Sequence, residues 1–312
     1  MKSLGRFPKI REFWTRFSRS RGAVVGLAIV GLFTAVAALT PLFAPDPGLL
    51  NFHEILLPPS LSHPMGTDDF GRNLLVRMLW GSRVSLFIGF TAALVSISVG
   101  ILVGAAAGYF GGVVDVVLMR LVDTFLVIPT FFLALLIVAF VGHSIYLITF
   151  AIAITNWPEP ARLLRGQFLS LREREFVESA RMLGAGDFHI IFREILPSAI
   201  FPVIIVFGYQ IAGAILTESG LSFLGLGDPN AVSWGWLLND ALRTYDIAWW
   251  MSVFPGVAIA LTVIAFNLIS DGLNDSLNPR LRVRRFSIGK PRQVEDTLLA
   301  PDLLKDSQPV EP

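Results

Sequence analysis

The stretch VSLFIGFTAALVSISVGILVGAAAGYFGGVV, residues 84–114, runs for 31 residues without an Asp, Glu, Lys or Arg. A helix rises about 1.5 Å per residue and the hydrocarbon core of a bilayer is about 30 Å thick, so roughly 20 apolar residues cross it. This stretch is therefore long enough to span a membrane as one helix. A single apolar run can also be a buried helix of a soluble protein, so the rest of the chain must distinguish the two.

Four further stretches without charged side chains argue against a water-soluble fold. They cover residues 22–45, 124–158, 195–217 and 247–270. The 124–158 stretch is too long for one helix and contains the turn-like VGHS at residues 141–144, so we interpret it as two spans, about 119–141 and 145–163. The sequence therefore predicts an all-α, polytopic membrane protein with six transmembrane helices.

The composition of the 312-residue chain agrees with this class and excludes several kinds of site. Apolar residues make up 54% of the chain and charged residues 16%, against about 25% charged in an average soluble domain. Because the chain contains no cysteine, it can form no disulfide, thiolate metal site or iron–sulfur cluster. The formal net charge of +1 gives no bulk attraction to nucleic acid, so no nucleic-acid partner is expected.

The basic residues predict the orientation, since the cytoplasmic flanks of membrane helices collect Lys and Arg. Of the 25 Lys and Arg residues, only Arg72, Arg77, Arg83 and Arg243 fall on one side of the six-span arrangement, and the others fall on the opposite side. Both termini are therefore expected in the cytoplasm. The predicted segments are a basic cytoplasmic N-terminus (1–22), the first span with an extracytoplasmic loop (23–83), a five-helix domain (84–275) and a partly disordered cytoplasmic tail (276–312).

Two local patterns concern packing more than chemistry. Gly100, Gly104 and Gly108 lie four residues apart, so they predict a groove that lets another helix approach closely. In the extracytoplasmic loop, a turn at residues 63–73 is followed by apolar residues at helical spacing, which predicts a short amphipathic helix at the membrane surface around residues 74–79. We expect this loop to orient the second span and not to bind a ligand.

Ionisable residues inside membrane spans are candidate functional residues, and the predicted spans contain only two such candidates, Asp123 and Glu218. Both lie near the ends of predicted spans. Asp123 is expected to pair with Arg120 at the cytoplasmic edge of the third span and not to act in transport.

Residues 166–197 are the most informative part of the predicted cytoplasmic surface. Their pattern predicts two short amphipathic helices joined by Gly184-Ala185-Gly186. Asp187 is expected to cap the second helix, and Pro197 is expected to end it. The two apolar stripes are Phe176, Val177, Ala180 and Leu183, then Phe188, Ile191, Phe192 and Ile195. A compact helical knob with an apolar side favours binding in the groove of a partner.

This loop resembles the EAA loop of the membrane subunits of ABC importers. The residues that carry the resemblance are Glu178-Ser179-Ala180, Gly184 and Ile195-Leu196-Pro197. Three further motifs are similar to those of "C"-type permeases of dipeptide, oligopeptide and nickel importers. They are HPMGTDDFGR at 63–72, LSFLGLG at 221–227 with SWG at 233–235, and DGL at 271–273 with PRL at 279–281. The chain departs from these permeases at Asn73 and Asn278, where they usually have Asp.

The resemblance implies a type I ABC importer transmembrane fold in the cytoplasmic (inner) membrane of a bacterium or archaeon. It implies as partners a related "B"-type permease, two cytoplasmic ATPase subunits that bind ATP and Mg, and an extracytoplasmic substrate-binding protein. Within the coupling loop, Glu178, Ala180 and Gly184 are then the expected ATPase contacts and hinge. Short peptides are the favoured cargo, with nickel or another small solute as the alternative, and the residues of the translocation path are not identified.

The chain lacks the sequence of an ATPase or of another catalytic site. A P-loop needs Gly-x4-Gly-Lys-Ser/Thr, and the nearest match, Gly289-Lys290-Pro291, lacks the first glycine and the hydroxyl. ATP hydrolysis is therefore assigned to other subunits, and the chain is not expected to be an enzyme. The four histidines have no metal-ligand spacing, so no metal site is expected. A stand-alone secondary transporter and a polytopic membrane enzyme are the alternatives from other functional classes.

Overall fold

The structure, a computed structural model, describes residues 10–277, in which helices are joined by loops, the longest of them at residues 44–73. The N-terminal residues 1–9 and most of the predicted tail, with Asn278 and the PRL motif, lie outside the described residues. In chain order the helices are α1 (Ile10–Phe17), α2 (Arg21–Phe43), α3 (Leu74–Phe110), α4 (Gly112–Val127), α5 (Thr130–Val141), α6 (Ile145–Asn156), α7 (Pro158–Leu171), α8 (Glu175–Met182), α9 (Asp187–His189), the π-helix π1 (Ile190–Ile195), α10 (Leu196–Ala199), α11 (Phe201–Leu221), the π-helix π2 (Ser222–Leu226), α12 (Trp234–Ala241) and α13 (Trp250–Leu277).

Within residues 10–277, four helices are long and apolar enough to cross a membrane: α2, α3, α11 with its extension π2, and α13. The predicted all-helical membrane fold is confirmed, whereas the count of six spans stays a prediction. Helices α4 and α5 make a fifth span only if they are counted as one bent unit. Helix α6 has 12 residues, about 18 Å, so it is too short to cross alone and needs the polar α7 to continue it.

The third predicted span, about residues 119–141, is not one continuous helix. Helix α4 ends at Val127, α5 begins at Thr130, and the two meet at an angle of 85°. Ile128 has an extended backbone because the ring of Pro129 disfavours helical geometry in the residue before it. Pro129 also has no N–H with which to continue the helix.

Helix α3 spans 37 residues, which is about 55 Å and longer than the hydrocarbon core of a bilayer. It begins at the side chain of Asn73, which accepts hydrogen bonds from the backbone N–H groups of Leu75 and Val76. The prediction of a separate surface helix around residues 74–79 was wrong. Those residues form the first turns of α3, because Asn73 caps them and no proline interrupts the chain before Gly111.

Helix α7 lies directly against the backbone of α3 at Gly100, Gly104 and Gly108. A methyl group would lie 2.9 Å from Pro160 Cγ at Gly100 and 2.5 Å from Phe168 Cβ at Gly108. At Gly104 it would collide with the carbonyl oxygen of Ala161. Any side chain larger than hydrogen would therefore push the two helices apart.

The other long helices surround this pair. Helix α11 packs against both α3 and α13, and α13 packs against α2 and α1. Two close approaches also involve glycine, since a methyl group at Gly26 would lie 2.6 Å from the Ala265 carbonyl oxygen and one at Gly272 would collide with Ala23. Phe17 of α1 is buried beside Gly272. The N-terminal helix is thus attached to the same end of α13 as the start of α2.

A buried ion network fastens the loop before α3 to α3 itself and to α12. Asp68 is fully buried and pairs with Arg77 Nη1 at 2.8 Å and with Arg72 Nε at 2.6 Å. Arg77 is 2% exposed and also pairs with Asp240 of α12 at 2.8 Å. Removing one partner of such a buried pair leaves an uncompensated charge and typically costs about 3–5 kcal/mol. The HPMGTDDFGR motif therefore forms a packed loop at the start of α3.

Asp69 lies beside this network but makes none of its close ion pairs. Burial, and then the charges of Asp68 and Asp240, raise the pKa of the Asp69 carboxyl, against the smaller lowering by Arg72. Folding therefore favours the protonated form, so the folded state loses stability relative to the unfolded chain as the pH rises through the folded pKa.

We predict that Gly104→Val destabilises the chain by about 1–3 kcal/mol, the usual cost of overpacking, because its side chain must displace the backbone of α7. Thermal unfolding in detergent measures this effect. The matched control is Gly213→Val, at a glycine of α11 whose added methyl group would meet nothing within 4 Å. Equal losses in the two variants would contradict the role of close backbone packing.

We also predict that Asp69→Asn raises the melting temperature at about pH 7 and has little effect at about pH 3, where the carboxyl is protonated in the folded and the unfolded chain. Asparagine keeps the shape of the side chain and cannot ionise. Thermal unfolding of both chains across this pH range checks the prediction. A difference that is the same at every pH would show that packing, and not ionisation, causes it.

Candidate functional site

The segment between α7 and α11, residues 172–197, forms a compact unit that we call the inner knob. Its first helix, α8, ends at Met182 with Leu183 as the C-cap residue, and Gly184 follows with a left-handed backbone, φ +81°. The N–H of Gly184 donates to the Arg181 carbonyl and the N–H of Ala185 donates to the Ala180 carbonyl. This bond pair is the Schellman motif, which satisfies the last carbonyls of a helix. Gly184 is needed for its backbone conformation and not for space, because a methyl group there would meet nothing within 4 Å.

The second half of the inner knob differs from the prediction in two ways. Asp187 does not cap its own helix: Gly186 occupies the N-cap position, and the Asp187 carboxylate accepts a hydrogen bond from the Tyr109 hydroxyl at 2.7 Å. Pro197 does not end the helix either, because proline is tolerated in a first helical turn and α10 leads through the helical Ile200 into α11. The lack of an N–H at Pro197 coincides with π1, in which the N–H of Leu196 bonds to Ile191, five residues back.

One face of the inner knob is part of the protein core. Val177, Ile190 and Ile195 are buried in a hydrophobic cluster with Phe168 of α7 and Tyr109 of α3. These contacts connect both halves of the inner knob to the two helices that meet at the glycine groove. A displacement of the inner knob must therefore move α3 and α7 or break this cluster.

The opposite face carries large apolar side chains that no described residue covers. Met182 is 82% exposed, Leu183 is 88% exposed and Phe188 is 76% exposed. Phe188 also packs on Phe192, with ring centres 4.5 Å apart. The predicted first stripe is thus divided, since Val177 packs inward whereas Leu183 projects outward. Exposed apolar groups concentrated in a short segment are typical of a protein interaction surface.

The residues predicted from the EAA resemblance fall into two groups in space. Glu178, Ser179 and Gly184 are exposed, and Ala180 is half-buried. The other group, Ile195-Leu196-Pro197, faces the interior, where Ile195 is fully buried and its two neighbours are half-buried. The structure therefore offers only the first group to a partner and places the second group in the attachment of the inner knob to α11.

Two ion pairs hold α7 against α4 next to the inner knob. Arg165 makes a two-bond contact with Asp115, at 2.5 and 2.6 Å, and Arg162 pairs with Asp123 at 2.6 Å. The predicted pairing of Asp123 with Arg120 was wrong, because α7 packs beside α4 and brings Arg162 to the carboxylate. The partners are 39 and 50 residues apart, so local sequence gives no signal for either pair.

Tyr109 is a residue of this site that the sequence analysis missed. It lies in the last turn of α3, is buried, and contacts both halves of the inner knob. Its hydroxyl donates to Asp187, and the guanidinium carbon of Arg181 lies 5.7 Å from the centre of its ring. A tyrosine at the end of an apolar span is common, so only the tertiary structure distinguishes this one.

Glu218, the other ionisable residue of the predicted spans, is in a position that favours a structural role. It is buried in the last turn of α11, and the Ser222 hydroxyl donates to its Oε1 at 2.7 Å. This bond ties α11 to π2, the turn that carries the LSFLGLG motif. Among residues 10–277, no group of three or more His, Cys, Asp or Glu side chains is arranged to hold a metal ion.

Two family models match the chain. Residues 100–283 match the binding-protein-dependent transport system inner membrane component, and residues 9–59 match the N-terminal TM domain of oligopeptide transport permease C. The first match contains the whole inner knob. The chain belongs to the family of binding-protein-dependent inner membrane transport components.

Named relatives agree with this assignment over most of the chain. The dipeptide transport system permease protein DppC of Haemophilus influenzae is 37% identical over 281 residues, which cover 88% of this chain and 95% of the relative. The glutathione transport system permease protein GsiD of Pectobacterium atrosepticum is 39% identical, with 87% and 91% covered. The oligopeptide transport system permease protein OppC of Bacillus subtilis is 36% identical, with 87% and 90% covered. The chain is thus a permease subunit of a multi-subunit ABC importer.

We predict that Tyr109→Phe loosens the inner knob of this permease, because it removes the hydroxyl bonded to Asp187 and keeps the buried ring. A hydrogen bond to a charged group contributes about 1.5–3 kcal/mol, so amide hydrogen exchange in residues 179–190 should become roughly 10- to 150-fold faster. Exchange measured by mass spectrometry tests this. Tyr146→Phe, at an exposed tyrosine in the first turn of α6, is the control. Unchanged exchange in Tyr109→Phe would contradict the prediction.

Proposed function

We propose that this chain is the membrane-spanning permease of an ATP-driven importer of dipeptides or oligopeptides. The permease role follows from the family, and the names of the relatives support peptide cargo, since they refer to dipeptides, oligopeptides and glutathione. ATP would be hydrolysed by two separate cytoplasmic ATPase subunits, because this sequence has no P-loop.

The observation that carries this proposal is the exposed apolar face of the inner knob. In the proposed complex, Met182, Leu183 and Phe188 enter a cleft on an ATPase subunit, as an amphipathic helix enters a groove. Glu178 lies on the exposed side, and its carboxylate has no hydrogen-bond partner among the described residues. It is therefore free to accept a bond from a basic group of the ATPase. Gly184 sets the angle at which the two halves of the inner knob meet.

The buried face of the inner knob provides the path for the motion. When the two ATPase subunits close around ATP, they would push the inner knob, and its contacts with Phe168 and Tyr109 would move α7 and α3. The permease would then alternate between a state that is open outside and a state that is open inside. In this scheme the nucleotide favours one state of a two-state element through a neighbouring chain.

The proposed arrangement places both termini and the inner knob in the cytoplasm of a bacterium or archaeon. The excess of Lys and Arg on that side supports this orientation. A related "B"-type permease would complete the translocation path in the inner membrane, and an extracytoplasmic binding protein would deliver the cargo. The alternatives are nickel or another small solute as cargo, and a transporter that works alone, which the experiment below can identify.

We predict that Gly184→Arg abolishes coupling. Arginine must adopt a left-handed backbone there, which costs about 1–2 kcal/mol, and it adds bulk to the surface that would enter the ATPase. The test uses proteoliposomes that contain both permeases and both ATPase subunits, with the binding protein outside. ATP-dependent peptide uptake and the ATPase stimulation by loaded binding protein should each fall at least about tenfold, a loss of 1.4 kcal/mol or more in coupling.

The matched control is Gly166→Arg, at an exposed glycine of α7 where a side chain would meet nothing within 4 Å. It should transport peptide at the rate of the unaltered complex. Intact coupling in Gly184→Arg, or chemical labelling that places residues 172–197 outside the cell, would overturn the assignment of the inner knob. Uptake by the isolated chain without any ATPase would instead identify a stand-alone transporter.

A further inference from the structure

A groove of about 1300 Å³ runs along one side of the described chain, between α3 and α11 and bounded by α2 and α13. Its walls are mostly aliphatic and aromatic. Residues that represent its length are Thr34, Phe87, Phe90, Phe207, Ile211 and Phe266. Pockets that enclose drug-sized ligands have volumes of about 300–1000 Å³, so this groove has room for a short peptide in an extended conformation.

Charge in the lining of the groove is confined to two side chains, Arg83 and Asp46. Asp46 follows α2, and Arg83 lies ten residues into α3, so in the proposed orientation both are at the extracytoplasmic mouth. The remainder of the lining is uncharged. A ligand with an anionic group at one end and variable apolar side chains is complementary to Arg83 at the mouth and to the uncharged walls.

Arg83 is held in place but is not neutralised. Its guanidinium carbon lies 5.1 Å from the centre of the Trp80 ring, and the Trp80 indole N–H donates to the Pro45 carbonyl at 2.9 Å. Among the side chains that the structure describes, no carboxylate lies within 4 Å of Arg83, whereas Arg72 and Arg77 each have carboxylate partners. A guanidinium fixed by stacking on an aromatic ring is prepared to bind a carboxylate with two parallel hydrogen bonds.

We propose that Arg83 binds the carboxylate of the cargo peptide at the mouth of this groove. The inference rests on the proposed function, and it identifies the chemical group of the cargo that the permease recognises. Every peptide with a free C-terminus carries this group, whatever its side chains, while the apolar walls accept side chains without strict selection. Arg83 thereby serves as a specificity-determining residue for free acids over blocked peptides.

The test compares the uptake of a short peptide with a free carboxylate and of the same peptide as its C-terminal amide. The complete complex is used, with either the unaltered permease or Arg83→Gln, and with the same binding protein. The ratio of the two uptake rates is measured for each permease. Selection by the binding protein cancels when the two ratios are compared. We expect Arg83→Gln to reduce the preference for the free acid about tenfold, and Arg83→Lys to retain part of it.

The control is Arg243→Gln, at an exposed arginine on the same side of the membrane that does not line the groove. It should keep the unaltered preference. If Arg83→Gln leaves the ratio unchanged, or slows both peptides equally, Arg83 has another role, such as binding a lipid phosphate, and the proposal is overturned. If the unaltered complex imports neither peptide with ATP, the proposed function itself fails, which is a different result.

Discussion

The close approach of α7 to the glycine face of α3 is the contact on which the rest of the structure depends. Because Gly100, Gly104 and Gly108 have no side chains, the backbone of α7 comes near enough to bury Phe168 and to bring Arg165 to Asp115. The inner knob follows α7 directly in the chain. Its position, and therefore the direction in which its exposed apolar face points, is set by this helix pair.

Helix α3 connects the two surfaces of the molecule. In its first turn Arg77 belongs to the buried ion network, and in its last turn Tyr109 contacts the inner knob. The helix continues between them without a proline, so it can transmit displacement as a rigid element. In the proposed complex, a binding protein at one surface and an ATPase at the other would act on the same helix, so that cargo binding would be coupled to nucleotide binding.

The sequence predicted the features that depend on local composition or spacing. Charge-free stretches predicted apolar helices, and Gly184 was expected where its helix ends, where the structure has it directly after the C-cap residue Leu183. Features that depend on pairing over long distances along the chain were missed or wrong. Asp123 bonds to Arg162 and Asp187 bonds to Tyr109, 39 and 78 residues away, because tertiary packing offered better partners than the neighbouring ones. The 85° bend at Pro129 was not predicted either, although this proline lies inside the predicted third span.

The length of α3 has a mechanical consequence. About 55 Å of helix in a hydrocarbon layer of about 30 Å leaves several turns protruding at the two surfaces. Because the helix is long, a small tilt displaces its ends by a large distance. A tilt of about 5° shifts one end relative to the other by roughly 5 Å. Small rotations at the level of the lipid are thus enough to open or shut a gap the width of a peptide backbone.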